Sequence, residues 1–429
     1  MRPREVSVEL LLIMLLVLLA LSRAFAEVAE RLGQPGLVGE LAAGILLGLL
    51  AAPVARVSGV PIDFVHDVQE THAFEAITEL GIFFLMLLGG LDLRPRDMAQ
   101  ASRSAFVIAL GGLLVPLAAG LALGWWLLPA SDVKTAQSVF LGTALAITAV
   151  PVSIRVLRDL GRLDTRVGSV VVSAAVYDDV LSLVLLAVLT ALLKTGAWPS
   201  AAGLLLLGGK VLLFFAVTVG FGRWILPRIG RVLHLSRASE FPFSTVLVTA
   251  LAFGVLAEQL GMHFILGAFM AGLFFQRGTL DDEAFESVRR RTEGITTGFL
   301  APIFFASIGL HLTGSAVVET PWFLVALLVI AFFAKLLGGG LVAYLMERDP
   351  AGAAVVGSAM SARGAVELII ADIALRAGLF DAPTPTPPIV ENMFSAVVIM
   401  AVVTTVATPV AVNWILRWDA ARDSKMLEQ

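Results

Sequence analysis

Long apolar segments follow one another along the chain, and few polar residues interrupt them. Most segments have the roughly 18 to 25 residues that a helix needs to cross about 30 Å of hydrocarbon. The pattern therefore predicts an all-α polytopic membrane protein with about thirteen transmembrane helices. The predicted helices are residues 6–26, 36–50, 77–93, 104–127, 137–155, 168–193, 202–225, 240–259, 263–276, 295–312, 320–345, 352–376 and 389–416.

Composition agrees with this pattern. Hydrophobic residues make up 58% of the chain and charged residues only 15%, whereas soluble proteins carry about 25% charged residues. The formal net charge of −4 gives no indication of a nucleic-acid partner. Since the chain contains no cysteine, disulfides, thiolate metal sites and a cysteine nucleophile are excluded. The lipid bilayer is the expected surrounding of most of the chain.

The basic residues predict the orientation of the helices. Alternate loops with the adjoining helix ends, together with the C-terminal tail, carry 21 of the 30 Lys and Arg residues, while the N-terminus and the remaining loops with their helix ends carry 6. Because basic residues collect on the cytoplasmic side, we expect an N-terminus outside and a cytoplasmic tail, in a bacterial inner (cell) membrane. The transmembrane domain is predicted to span residues 1–418, followed by a short tail at 419–429.

Two sequence patterns occur twice. The run LGQPGLVGELAAG at 32–44 is similar to LGMHFILGAFMAG at 260–272, with five identical residues at the same offset. The run IFFLMLLGGLDL at 82–93 returns in shorter form as IFFASIGLHL at 303–312. In both cases the partner helices are seven apart in the predicted order, and an odd number reverses the orientation of a helix in the membrane.

This repetition predicts two inverted halves, residues 6–193 and 240–416, joined by a connector helix at 202–225. Inverted repeats are typical of secondary transporters, whose binding sites lie near the middle of the membrane where broken helices meet. The alternative is chance similarity, because membrane helices use small residues for packing in general.

Two adjacent acids, Asp178 and Asp179, lie near the middle of the predicted helix 168–193 and are candidate ligands of a monovalent cation. One carboxylate at the centre of the bilayer costs roughly 2.5–3.5 kcal/mol on insertion scales, and helix packing does not require it. Since neighbouring residues of a helix point about 100° apart, one acid is able to face a cavity while the other meets a neighbouring helix. Repulsion between them predicts a pair that exchanges a proton in the physiological range. The alternative is a structural pair, satisfied by nearby hydroxyl groups.

Lys335 lies in the middle of the predicted helix 320–345 and is the candidate counter-ion of one aspartate. A buried lysine beside a carboxylate holds or releases a proton as its surroundings change. The alternative is a side chain that extends to the membrane surface. That alternative is disfavoured because Lys335 is far from either end of the helix.

Pro151 predicts a break in the helix 137–155. Proline cannot donate a main-chain hydrogen bond, so the turn that holds Thr148 and Ser153 is expected to be kinked or unwound. Irregular backbone at membrane depth is tolerated only against protein or a water-filled cavity, which makes these two hydroxyl groups candidate ligands. The alternative is that Pro151 only shapes packing.

The predicted helix 352–376 has a corresponding weak point. Glycine and serine residues loosen it within GSAMSARG at 357–364. Arg363 and Glu367, four residues apart, are expected to pair there. Two broken helices would bring free carbonyl groups and helix-dipole charges to the middle of the membrane.

Six short motifs, in this order, resemble those of the monovalent cation:proton antiporters. They are GELAAGILLG, ELGIFFLMLLGGLDL, TAVPVS, VYDDVL, AKLLGGG and SARGAVELII. The resemblance covers nearly the whole membrane chain. It is nearest to bacterial sodium/proton exchangers of the NapA type and more distant to Kef-type potassium exchangers. Kef-type members usually carry a glutamine-aspartate pair and a C-terminal nucleotide-binding domain, whereas this sequence has Asp178-Asp179 and a short predicted tail.

The resemblance implies roles for the residues that match its motifs. It implies that Asp178 pairs with Lys335 and that Asp179 is the main carboxylate ligand of the cation. It also implies that Thr148 helps to build the site and that Glu367 is the acid of the second broken helix. The family further implies a NapA/NhaA-like fold, in which a core domain of six helices moves against a dimerisation domain, and a homodimer.

The sequence therefore predicts a secondary transporter, not an enzyme, that exchanges protons for sodium or lithium and needs no cofactor beyond the transported ions. Exchange is expected to be electrogenic, since electroneutral members often have asparagine in place of Asp178. Potassium/proton exchange and sodium-coupled solute symport stay open as alternatives, because one architecture serves several functions. A channel is disfavoured because neither half carries a repeated filter-like loop. An intramembrane aspartyl protease is disfavoured because no Gly-Asp dipeptide occurs.

Overall fold

The structure is a computed structural model that describes most of the chain. The described residues are 8–58, 68–69, 71–92, 103–148, 157, 162, 165–195, 201–233, 240–275, 279–312 and 314–427. The regular elements that they form are helices, so the predicted all-α fold is confirmed. In chain order these are α1 (Val8–Arg31), α2 (Gly36–Ser58), α3 (His72–Asp92), α4 (Arg103–Leu127), α5 (Lys134–Ala146), α6 (Arg166–Thr195), α7 (Ala201–Gly220), α8 (Leu226–Leu233), α9 (Phe241–Gln259), α10 (Ile265–Phe274), α11 (Asp282–Ile295), α12 (Ala301–Leu310), α13 (Ser315–Val318), α14 (Pro321–Lys335), α15 (Val342–Glu347), α16 (Pro350–Ala359), α17 (Ala365–Arg376), α18 (Pro388–Glu391) and α19 (Met393–Leu427).

Three π-helical segments connect consecutive α-helices without a loop. They are π1 (Phe221–Ile225), π2 (Thr296–Leu300) and π3 (Leu336–Leu341). Among the described residues, nine helices, counted through such segments, are long and apolar enough to cross a membrane. Three further apolar helices are shorter, at Gly36–Gly48, Ile265–Phe274 and Pro350–Ala359. Each predicted segment overlaps an observed helix, while the number thirteen stays a prediction.

One helix begins well before its predicted start. The sequence predicts a helix at 295–312, but α11 begins at Asp282 and continues through π2 into α12. The side chain of Asp281 accepts a hydrogen bond from the amide of Ala284 at 2.6 Å and so caps the first turn. Phe285 and Val288 are buried on one face of α11. The hydropathy pattern missed this helix because most of its residues are polar.

The chain forms two compact units, and each unit takes one segment from each predicted half. The first unit consists of Met1–Arg94 and Ala201–Leu312. The second consists of Pro95–Ser200 and Thr313–Gln429. The predicted site residues all belong to the second unit.

Within the first unit, α1 and α9 end in the same way. Gly33 follows α1 with a φ of 75°, and Gly261 follows α9 with a φ of 85°. Only glycine adopts this left-handed conformation without strain. In both turns the amide of the next residue donates to a carbonyl five residues earlier at 2.9 Å, which is a Schellman motif. Both glycines belong to the repeated sequences 32–44 and 260–272.

Glycine contacts in the first unit also occur in pairs. Gly39 of α2 packs directly on the main chain of Phe25 in α1, and Gly267 of α10 packs on the main chain of Phe253 in α9. The residue numbers of the second pair differ from those of the first by the same amount as the positions of the two repeated sequences differ. These contacts let the short helices α2 and α10 approach their neighbours at backbone distance.

A second set of glycine contacts crosses between the two sequence halves. Gly90 of α3 packs on the carbonyl of Phe269 in α10. Gly309 of α12 packs on the carbonyl of Leu41 in α2. A Cβ atom at either glycine would overlap that oxygen. Thus α3 of the first half packs on α10 of the second, and α12 of the second half packs on α2 of the first.

In the second unit, glycines place π3 between two helices. Gly338 packs on the main chain of Gly111 in α4. Gly340 lies against Gly357 in α16, so that a Cβ atom on Gly340 would be 3.4 Å from the Cα of Gly357. Lys335 directly precedes this segment, and its backbone position is therefore fixed by contacts on two sides.

We predict that Gly90→Ala destabilises the protein, whereas Gly89→Ala does not. A Cβ atom at Gly90 would overlap the carbonyl oxygen of Phe269, while no described residue lies within 4 Å of a Cβ atom at Gly89. Overpacking of this kind costs about 1–3 kcal/mol. The measurement is the thermal unfolding midpoint of each purified variant in detergent. Equal midpoints for the two adjacent variants would contradict the described packing of α3 on α10.

Candidate functional site

The helix α5 ends at Ala146, and the chain continues in an extended conformation. Ile147 has φ −74° and ψ 146°, and Thr148 is fully buried. Because proline at position 151 has no N–H to donate to the carbonyl of Ile147, the helix cannot continue regularly here. The break expected around Thr148 is therefore present. Pro151 and Ser153 lie outside the described residues.

A second break separates α16 from α17. α16 ends at Ala359 and α17 begins at Ala365, which places the break within the glycine- and serine-rich run identified in the sequence. Arg363 lies in the break and Glu367 lies in the first turn of α17, and both are fully buried. An acidic residue in the first turn of a helix interacts favourably with the helix dipole.

Arg363 joins the two breaks. Its guanidinium donates hydrogen bonds to the carbonyl oxygens of Leu145, at 2.8 Å, and Ile147, at 3.4 Å, and a further one to Ala144. The hydroxyl of Thr405 in α19 donates to the carbonyl of Arg363 at 2.6 Å and holds the arginine backbone. The guanidinium group of Arg363 therefore binds the C-terminal end of α5, where helix carbonyls lack partners within the helix.

Lys335 completes this set of bonds. Its ammonium group donates to the carbonyl of Ala146 and, at 2.7 Å, to the hydroxyl of Thr148. Lys335 and Arg363 together bind the carbonyl oxygens of four consecutive residues, 144–147. Two buried cations thus balance the negative end of the α5 dipole.

Thr148 connects the lysine with the second break. Its hydroxyl accepts the hydrogen bond from Lys335 and donates one to the carbonyl of Met360 at 3.1 Å. Loss of this hydroxyl would therefore leave both a buried ammonium hydrogen and a buried carbonyl short of a partner.

The two buried carboxylates are only loosely paired. Asp178 Oδ2 lies 3.9 Å from Lys335 Nζ, and Glu367 Oε2 lies 3.5 Å from Arg363 Nη1. Among the described residues, no oxygen of either carboxylate has a hydrogen bond of normal geometry, although Thr148 lies close to the Asp178 carboxylate and Arg363 lies close to that of Glu367. Buried carboxylates in native proteins normally have such partners, so both groups are available to bind a proton or a cation.

The described side chains form a cluster whose formal charges cancel. Asp178 and Glu367 are acidic, Lys335 and Arg363 are basic, and all four are at most 1% exposed. A buried pair that loses one partner leaves an uncompensated charge, which is strongly unfavourable. Any further charge that enters this cluster must therefore be balanced by another ion or by a proton.

Asp179 follows Asp178 in α6, and its side chain lies outside the described residues. The structure therefore brings together five of the sequence-predicted site residues, which are Thr148, Asp178, Lys335, Arg363 and Glu367. It gives no side-chain position for Asp179, and Pro151 and Ser153 lie outside the described residues.

Sequence reasoning missed several partners of these residues. The carbonyls of Ala144 to Ile147 and of Met360 bind the cations and Thr148, but a carbonyl group occurs in every residue and gives no sequence signal. Thr405 lies in an apolar helix among other threonines, and nothing in its sequence context singles it out.

Comparison with known proteins identifies similar sequences along nearly the whole chain. The family model described as "Sodium/hydrogen exchanger, transmembrane" matches residues 13–418. The Na+/H+-K+ antiporter GerN of Bacillus cereus is 32% identical over 395 residues, which cover 92% of this chain and 93% of GerN. The Na+/H+ antiporter NhaS4 of Synechocystis is 31% identical over 420 residues, with 93% and 95% covered. A Na+/H+ antiporter of Enterococcus hirae is 28% identical over 389 residues, with 91% and 94% covered.

A solved structure has a similar fold. The sodium proton antiporter MjNhaP1 of Methanocaldococcus jannaschii superposes with a TM-score of 0.67 and 18% sequence identity. The match covers 98% of this chain and 100% of the antiporter chain. At this level of identity the match supports the predicted antiporter-like fold and no more.

We predict that Arg363→Gln destabilises the protein more than the double substitution Arg363→Gln with Glu367→Gln. Both variants lose the bonds to the α5 carbonyls, but only the single variant leaves the Glu367 carboxylate buried without its cation. Breaking a buried pair on one side costs about 3–5 kcal/mol. Thermal unfolding midpoints in detergent at pH 8 measure the difference. A double variant no more stable than the single one would show that Glu367 does not depend on Arg363.

Proposed function

The chain belongs to the sodium/hydrogen exchanger family, and from this we infer that it is a multi-pass membrane transporter that exchanges sodium ions for protons. Relatives that match more than nine tenths of the chain carry the name Na+/H+ antiporter. The observation that carries the proposal is the buried, charge-balanced cluster at the meeting point of two broken helices. Such sites near the middle of the membrane are typical of secondary transporters.

We propose that Asp179 is the carboxylate that binds the transported ion. The four described charges of the cluster cancel, and Asp179, which follows Asp178 in the sequence, adds one negative charge in its ionised form. A single monovalent cation or a single proton is enough to balance that charge. Competition between the two for one carboxylate, alternately open to each side of the membrane, results in exchange.

The loose pair of Asp178 and Lys335 supports a second, coupled proton. The two charged groups are 3.9 Å apart, and the lysine bonds mainly to the Ala146 carbonyl and the Thr148 hydroxyl. A cation that binds both Asp179 and Asp178 replaces the ammonium group as the partner of Asp178, and Lys335 then releases its proton. Two protons then move against one cation, so each cycle transfers one net charge, worth about 2.3 kcal/mol per 100 mV.

Potassium is the second candidate ion. The name of GerN includes both sodium and potassium, and selectivity between small cations depends on cavity size and ligand field rather than on residue type alone. We propose sodium or lithium as the main substrate, no cofactor other than the transported ions, and potassium as the alternative that the flux experiment distinguishes.

We also propose that the chain consists of two inverted repeats and works as a homodimer. The paired Schellman turns and glycine contacts, at the offset of the repeated sequences, support the repeats. The unequal distribution of basic residues supports a cytoplasmic C-terminus and an N-terminus outside in the bacterial inner membrane. The homodimer rests on the family resemblance.

We predict that Asp179→Asn abolishes sodium-driven proton flux. The neutral amide cannot exchange a proton for a cation, so coupling is lost. The measurement is dequenching of a pH-sensitive dye in proteoliposomes after addition of sodium, lithium or potassium in turn. The same substitution at Asp381, which is exposed, is the matched control and should retain flux. Flux that persists in Asp179→Asn would refute the assignment of the ion site.

We predict that the double variant Asp178→Asn with Lys335→Gln still exchanges sodium for protons but generates no current. The variant keeps Asp179 and lacks the two groups proposed to carry the second proton. Currents after a sodium jump on a solid-supported membrane are compared with dye-based flux in the same preparation. A current per unit flux equal to that of the unmodified protein would show that other groups carry the second proton.

A further inference from the structure

Ser182 lies one helical turn after Asp178 in α6, and no predicted role includes it. Its side chain is 3% exposed, and its hydroxyl has no hydrogen-bond partner among the described residues. Residues four apart share one face of a helix. Because the Cα–Cβ bonds of a helix tilt toward its N-terminus, Ser182 leans toward Asp178.

Among the described residues, most buried hydroxyl groups in helices have a hydrogen-bond partner, and Ser182 shares the lack of one with Thr143 in α5. Such groups normally bond to the carbonyl three or four residues earlier. Thr190, two turns further along α6, donates to the carbonyl of Leu186 at 2.8 Å, and Thr404 in α19 donates to that of Met400 at 2.8 Å. Ser182 makes no such bond to Asp178.

Two buried and incompletely bonded oxygen groups therefore follow each other on one face of α6. Among the described residues, neither carboxylate oxygen of Asp178 has a hydrogen bond of normal geometry, although Thr148 lies close by, and Lys335 Nζ is 3.9 Å from Oδ2. An unpaired buried polar group is unfavourable unless a ligand completes its bonding. Carboxylate and hydroxyl oxygens are suitable ligands for small hard cations.

We propose that the Ser182 hydroxyl and the Asp178 carboxylate form a subsite for a small monovalent cation, directly or through one water molecule, beside the main site at Asp179. The proposal rests on the proposed function, since it assumes that the chain transports such a cation. In the predicted orientation α6 runs outward, so the subsite lies on the outer side of the aspartate pair. Ser182 is then a residue that sets the affinity for the transported ion.

The test is the sodium concentration at half-maximal flux in proteoliposomes that contain the full chain. Ser182→Ala should raise it roughly three- to tenfold, the effect of one neutral hydrogen-bonding group, with a smaller effect on the maximal rate. Ser182→Thr, which keeps the hydroxyl, should restore most of the affinity. Ser173→Ala, on the same helix and only half-buried, is the matched control. Lithium and potassium are tested in the same way.

A double-substitution experiment separates this role from a structural one. If the two groups hold the same ion, Ser182→Ala should change the half-maximal concentration little in an Asp178→Asn background, because neighbouring groups with a shared ligand are not additive. Should Ser182→Ala fail to fold, Ser182→Cys gives the same test with a weaker hydrogen-bonding group of similar size.

An unchanged half-maximal concentration in Ser182→Ala for all three ions would overturn the subsite. So would equal weakening by Ser182→Ala and Ser182→Thr, because the hydroxyl would then be irrelevant. Failure of the proposed function has a different result: flux would persist in Asp179→Asn whatever the Ser182 variants do.

Discussion

The carbonyl groups at the end of α5 are the constraint on which the site depends. A helix that stops within a membrane-spanning unit leaves its last carbonyls without partners, and the hydrocarbon offers none. Here Lys335 and Arg363 supply the donors, reaching α5 from the end of α14 and from the break between α16 and α17. The broken helix is therefore stable only if two cations are buried with it. Because an uncompensated buried charge is strongly unfavourable, acidic side chains must lie near the buried Lys335 and Arg363.

This constraint results in a site with the properties that ion exchange requires. Buried ion pairs add little net stability, because desolvation offsets their attraction. Asp178 and Glu367 each face a cation, but neither has a full set of hydrogen bonds. A cluster in this condition responds to each added or removed charge. In the proposed mechanism, this response couples the cation to protons.

Glycine residues allow the backbones of neighbouring helices to pack closely. Close backbone contacts occur in the helices that hold Lys335 and the repeated motifs. Gly338 packs on the main chain of Gly111, and Gly90 packs on the main chain of Phe269. Close packing of this kind fixes each unit internally and leaves little room for side chains between the helices. Lys335 is consequently held by its backbone on one side and by three polar contacts at its ammonium group on the other.

The sequence alone determined the membrane fold and the charged members of the site. Apolar length is a local property, and a charge such as Lys335 or Asp178 within an apolar run is visible because its burial is costly. The tertiary structure alone decided which atoms these charges meet. The α5 carbonyls and that of Met360 carry no residue-specific signal, and Ser182 attracts attention because its hydroxyl has no hydrogen-bond partner among the described residues. Contacts between distant segments depend on the path of the backbone, which residue types do not specify.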